Sequence, residues 1–276
     1  MTWLRIEITE KHYDTKPGYG GSGSVGSKSP SRASAAARSP GAGPGQATSV
    51  LKDISLELEY GEFVCILGPS GCGKTTLLNL VAGLDKNFEG HISFRPASDR
   101  SDSKGGPRIG YVFQNPVLLP WRTVGENLRL VMRPDQIGRG IETELLSEMG
   151  LADCQDAYPR DLSLGMSRRV SLARALIIEP DILLMDEPFV SLDESMAAEL
   201  RHLLMRFWRS RPMTVLLVTH DSREAIQLGQ RIIVLAGSPA TVRFDEMVML
   251  TNDQRIDPLY IEATRRQILN ETRALP

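Results

Sequence analysis

The sequence predicts an α/β sandwich on a largely parallel sheet, and two observations carry that reading. Short continuous apolar runs, FVCIL (63–67), DILLMD (181–186), TVLLVTH (214–220) and RIIVL (231–235), are dominated by Val, Ile and Leu, as strands buried on both faces are. Between and around them lie segments with apolar residues at helical spacing: Lys74–Ala82, Met166–Ile178, Ser195–Arg209 and Ser222–Gln227. Strands that alternate with helices form a parallel sheet with helices on both faces.

Taken in order, MTWLRIEITE alternates charged and apolar residues and reads as a strand, not a signal peptide. Residues 17–47 then break from their surroundings, with eight of the chain's 24 glycines among many Ser, Ala and Pro. This segment reads as a disordered insert, mildly basic through Lys28, Arg32 and Arg38. VLKDISLELEYGEF (50–63) alternates again and predicts a half-buried antiparallel strand that turns at Tyr60–Gly61. Val234–Phe244, with GSPA between apolar segments, predicts a hairpin, and the last 25 or so residues a short helix.

The 276 residues suit one large domain. Lys+Arg total 32 against 34 Asp+Glu, a formal charge of −2, which excludes a global basic field and argues against nucleic acid. Cys65, Cys72 and Cys154 have neither metal-site nor CxxC spacing and suit a reducing compartment. No apolar run approaches the ~18 residues of a membrane span, so any membrane role comes through a partner.

Chemistry concentrates in GPSGCGKT (68–75), which matches GxxxxGK[ST] between a strand and a helix. Gly68, Pro69, Ser70, Gly71, Cys72 and Gly73 form a loop whose backbone N–H groups can turn inward around an anion, and Thr76 follows at the helix start. Lys74 is expected to reach the β and γ phosphates, and the Thr75 hydroxyl to ligate Mg²⁺. Cys72, in that loop at a helix N-terminus, is expected to favour its thiolate. No NKxD motif is present, which favours ATP over GTP.

ILLMDEP (182–188) places Asp186 at the end of a buried strand near the metal, and Glu187 beside it to polarise an attacking water. Gln114, after another apolar strand, could reach the metal or that water, and His220 closes TVLLVTH at the crevice end of the sheet. A second helix start stands at DLSLGM: Ser163 is a candidate N-cap, Gly165 permits close backbone approach, and no acid follows until Glu179.

In order, GPSGCGKTT, VFQNP, DLSLGMSRRVSLARAL, ILLMDEP, SLD and VTHD resemble the ATP-binding cassette of ABC transporters. VFQNPVLLPWRTVGENL, LSxGM followed by RR, and DEPFxSLD are similar to importer ATPases of the nitrate/sulfonate/taurine class. The resemblance implies one ATPase domain over 1–276: a P-loop NTPase (RecA-like) sandwich, an antiparallel β subdomain and a helical signature subdomain over 117–178. It also implies ATP and Mg²⁺ as ligands, with Thr75, Gln114 and Asp186 serving the metal. Glu187 is then the catalytic base and His220 the switch residue at the γ phosphate.

The same resemblance implies a head-to-tail dimer, in which Ser163 and Gly165 close on the partner copy's nucleotide and Asp193 lies across the seam. Tyr13 matches the aromatic that stacks on adenine, with Tyr19 and Tyr60 as rivals. Transmembrane permease subunits would dock near Pro120–Trp121, at the cytoplasmic face of the membrane, with an extracytoplasmic solute-binding protein as an indirect partner. Leu164 and Met166 depart from the family's Leu-Ser-Gly-Gly-Gln, changes that bear on closure and not on the catalytic residues. The competing readings are a non-transport cassette ATPase and a regulatory nucleotide binder without turnover.

Overall fold

A computed structural model describes residues 2–14, 47–95 and 106–274. Its elements, in chain order, are β1 (Thr2–Asp14), β2 (Ala47–Glu59), β3 (Phe63–Leu67), α1 (Lys74–Val81), β4 (Glu89–Phe94), β5 (Ile109–Val112), α2 (Val124–Arg129) and α3 (Ile141–Glu148). There follow α4 (Leu164–Leu176), β6 (Ile182–Asp186), α5 (Glu194–Ser210), β7 (Thr214–Thr219), α6 (Ser222–Leu228), β8 (Arg231–Gly237), β9 (Ala240–Met247) and α7 (Pro258–Ala274). The insert expected at 17–47 lies outside the described residues except for Ala47, which opens β2; Tyr19 lies outside them too.

Among the described residues nine strands form one sheet, in the order β4-β1-β2-β9-β8-β3-β7-β6-β5. From β8 to β5 all neighbours are parallel, whereas β4, β1 and β2 pair antiparallel. The two parts meet at a single parallel bridge, Leu51 to Ala240, and β9 returns antiparallel along β8 to complete the hairpin expected at 234–244.

The apolar runs are continuous because the sheet is covered on both sides. In β3, Phe63, Cys65 and Leu67 enter one core while Val64 and Ile66 enter the other. The strands β6 and β7 divide in the same way, Leu183 and Met185 opposite Ile182 and Leu184, and Val215 and Leu217 opposite Leu216 and Val218. A period of two that separates two apolar faces leaves no polar position in the run. Each such side chain contributes about 1.5–3 kcal/mol by burial, so these strands fix the rigid end of the sheet on which the loops stand.

The structure adjusts several boundaries. The helix expected from Met166 begins two residues earlier, at Leu164, because Ser163 caps it: the Ser163 hydroxyl accepts from Met166 N at 3.2 Å. Leu164 takes helical backbone there, so the position does not require glycine. Within 117–178 the chain forms α2, α3 and α4, the first closed by a capping box between Thr123 and Glu126.

Candidate functional site

Strands β3, β5, β6 and β7 run in one direction, so the residues after each reach the same end of the sheet. There the loop from Gly68 to Lys74 turns on glycines. Gly71 and Gly73 sit at φ +80° and +107°, a region L side chains resist. At Gly68 a Cβ would come within 2.6 Å of the Leu235 carbonyl, so backbone is packed on backbone.

Lys74 is buried, and its ammonium donates to the carbonyls of Gly68 (2.8 Å) and Pro69 (3.0 Å). That ammonium also lies 3.6 Å from the Glu187 carboxylate. Thr75 Oγ1 donates to Asp186 Oδ2 at 2.8 Å, joining the start of α1 to the end of β6. Asp186 is 5% exposed, and burial pushes its carboxyl above the usual carboxylate range against the Thr75 hydrogen bond. Hydroxyl and carboxylate oxygens so arranged are hard donors suited to Mg²⁺, which takes few protein ligands and completes its shell with phosphate and water.

Glu187 follows at φ +44°, its N–H donating to Val218 O at 2.9 Å. Non-glycine residues in this region carry about 1–3 kcal/mol of strain, and such residues gather at functional sites. His220 Nδ1 stands 3.1 Å from the second Glu187 oxygen, so the carboxylate is held between the imidazole and the ammonium of Lys74. The turn carrying His220 is pinned below: Thr219 Oγ1 donates to Glu224 Oε2 (2.6 Å) and accepts from Asp221 N (3.0 Å).

Gln114 lies beyond β5 at this end of the sheet with its side chain exposed. Cys72 corrects a sequence expectation. It is 8% exposed, and burial raises its thiol above the ordinary value despite the charge of Lys74, so no thiolate is favoured. Ser163 and Gly165 start a second anion-ready helix with no acid in its first turn. Among the described residues no hydrogen bond joins Ser163 to the phosphate loop of its own chain. Asp193 caps α5 by accepting from Met196 N at 2.9 Å. The first turns of the two helices pack closely, since a Cβ on Gly165 would meet Met196 Sδ at 2.8 Å.

Of the aromatic candidates, Tyr13 stands at the phosphate-loop end. It pairs with Thr48, close to Val50 and Leu51, whose side chains pack against Gly73. Tyr60 lies at the far end of β2, edge-on to Trp3, donating to Pro212 O at 2.9 Å.

Two arginines on α4 escape the sequence reading. Arg168 donates to the carbonyls of Gln114 and Val190, and Arg174 to those of Val117 (2.8 Å) and Pro116 (3.0 Å). They tie the segment after β5, and the loop after Glu187, to the helix that Ser163 starts. The signal was partial: with no acid between Leu162 and Ile178 the arginines of this helix need acceptors from other elements, which are carbonyls for Arg168 and Arg174 and the Glu199 carboxylate for Arg169.

A strand, phosphate loop and helix, faced by a second strand that delivers adjacent carboxylates, define a P-loop nucleoside-triphosphatase. The family model described as ABC transporter matches residues 51–190, and the chain belongs to that family. The match contains the phosphate loop, Gln114, Ser163, Asp186 and Glu187. The chain is 43% identical over 197 residues to the aliphatic sulfonates import ATP-binding protein SsuB of Bacillus licheniformis, covering 71% of this chain and 76% of that one. It is 37% identical over 229 residues to the protein of the same name from Bacillus subtilis, covering 82% and 88%. Among solved structures it resembles a dimeric ATP-binding cassette in a post-hydrolysis state bound to ADP and Pi. That match has a TM-score of 0.67 and 29% identity, over 90% of this chain and all of the other.

Proposed function

We propose that this chain is the ATP-hydrolysing subunit of an importer for a small sulfonate-like solute, working as a head-to-tail pair. The observation that carries the reading is the gathering of Lys74, the Thr75–Asp186 pair, Glu187 and His220 at one end of the sheet. The dimeric cassette among the solved relatives supports a second copy as the one whose nucleotide the capped start at Ser163 meets. The relatives named for sulfonate import support the solute class, which a permease and an extracytoplasmic binding protein would select.

In the reaction, Lys74 exchanges its loop carbonyls for the β and γ phosphate oxygens, and the inward N–H groups of 71–76 hold the remaining phosphate charge. Thr75, Asp186 and Gln114 would hold Mg²⁺, which supplies charge neutralisation to the phosphates. Glu187 accepts a proton from the attacking water, and His220 orients that carboxylate and meets the γ phosphate. Ser163 and Gly165 of one copy cover the nucleotide of the other, so binding draws the pair closed and hydrolysis releases it.

Among the described residues no helix is long and apolar enough to cross a membrane. The relatives named as import ATP-binding proteins support placing the chain at the cytoplasmic face, on permease subunits. Trp121, 70% exposed beside Pro120, is the surface proposed for that contact. The test is Glu187→Gln. ATP binding should persist, turnover should fall by roughly 10²–10⁴-fold, and an ATP-dependent dimer should accumulate in size-exclusion chromatography. Turnover within about threefold of the parent would remove Glu187 from the role of base.

A further inference from the structure

Lys11 is a lysine in an alternating strand, a pattern that usually puts the charge in water, yet it is 1% exposed. Burying an ammonium is costly unless its donors are met. Here Lys11 Nζ donates to the Asn87 carbonyl (2.6 Å), pairs with Asp85 Oδ2 (2.7 Å), and lies 4.4 Å from the centroid of the Tyr13 ring. The same Asp85 oxygen accepts from Tyr13 Oη at 3.3 Å, and its other oxygen accepts from Asn87 N at 3.0 Å. The Lys11 hydrogen bond holds the Asp85 carboxyl below the usual carboxylate range.

This cluster joins two parts of the fold. The strand β1 shifts register between Lys11 and His12. Asp85 stands after α1, with its N–H and that of Leu84 both donating to Asn79 O. The helix that begins with Lys74 therefore ends in the loop that grips Lys11 and Tyr13. Lys11 is paired across the strand with Leu51, whose Cδ2 lies 2.9 Å from where a Cβ on Gly73 would stand. Tyr13 as a residue remains 44% exposed, which leaves the side of the ring away from Lys11 open to a ligand.

We propose that Lys11, together with Asp85, is a positioning residue that fixes the Tyr13 ring for stacking on the purine of a nucleoside triphosphate held by the phosphate loop. The assignment rests on the reading of Tyr13 as the stacking aromatic. The Asp85 acceptor sets the ring's direction, and the ammonium occupies one face. A cation there draws π density toward itself, so the open face meets an electron-rich purine with less repulsion.

The experiment compares two probes on the full chain, ATP and inorganic tripolyphosphate, which has the phosphates and no base. Tyr13→Ala should weaken ATP by about tenfold, and Lys11→Met or Asp85→Asn by about threefold to tenfold. Tripolyphosphate affinity should stay within about twofold in all three, since the phosphate loop is untouched. The double variant Lys11→Met/Tyr13→Ala should bind ATP no more weakly than Tyr13→Ala alone. Asp85→Asn keeps the side chain's volume and serves if Lys11→Met does not fold. If Tyr13→Ala leaves the ATP-to-tripolyphosphate ratio unchanged, the stacking reading falls and the proposal with it. If only Tyr13→Ala moves that ratio, if the double variant is additive, or if tripolyphosphate weakens in parallel with ATP, the positioning role alone is overturned.

Discussion

Replacing Arg168 with methionine should loosen the site without touching a reacting group. Arg168 is 3% exposed inside α4 and donates to the Gln114 carbonyl and, at 3.2 Å, to that of Val190. Methionine fills most of the stem's volume and removes both donors. Losing a charged donor to a buried carbonyl costs about 1.5–3 kcal/mol each. Against that, the guanidinium's own burial is relieved. Burial lowers its pKa from the ordinary arginine value, and its Nε has no partner, an unmet N–H costing about 1–3 kcal/mol. The balance is a loss of about 2 kcal/mol, or about 4–8 °C in Tm for a domain of this size. Calorimetry and urea denaturation read it directly. Turnover should fall more than ATP binding, because both freed carbonyls belong to segments flanking Glu187 and the Gln114 turn. A Tm drop below about 1 °C would show that the carbonyls find other donors and that Arg168 is not the tie described.

Two further outcomes follow from burial. Because the Cys72 thiol is buried with its pKa raised, iodoacetamide at about pH 7.5 should label it more slowly than the half-buried Cys154, read by peptide mass spectrometry; faster labelling of Cys72 would contradict the burial argument. Burial also raises the Glu224 carboxyl above its ordinary 4.5, so the folded chain holds that proton more tightly than the unfolded one. Ionising Glu224 therefore costs stability, a cost absent well below the unfolded pKa and fully present only above the folded one. Glu224→Gln keeps an acceptor for Thr219, so its Tm relative to the parent should rise between about pH 4 and pH 8, and a flat difference would refute the sign.

The sheet and the phosphate site were legible because each rests on a local pattern. FVCIL coincides with β3 residue for residue, since two apolar faces demand an uninterrupted run. Gly71, Gly73 and Lys74 are readable from spacing because the backbone geometry they need is itself local. The strand β4 was missed for the opposite reason. Its first three residues are exposed and its pairing is with β1, roughly eighty to ninety residues away in sequence, so EGHISF carries no period to read. Lys11 and Arg168 look solvent-facing in a one-dimensional pattern; only the fold shows that carbonyls and a carboxylate are waiting for them. The thiol of Cys72 was misread because helix position is local, while the burial that outweighs it is not.

The left-handed backbone at Glu187 has a consequence for how this protein can change. Glycine or asparagine would occupy φ +44° with less strain, so at this position the backbone's preference and the base role proposed for Glu187 point to different residues. On the role proposed for Glu187, a laboratory selection for heat resistance alone would drift it toward glycine and return a hardier variant that has lost its base. Only a screen that scores turnover would keep the glutamate, which makes residue 187 a place where thermostability and catalysis are selected in opposite directions.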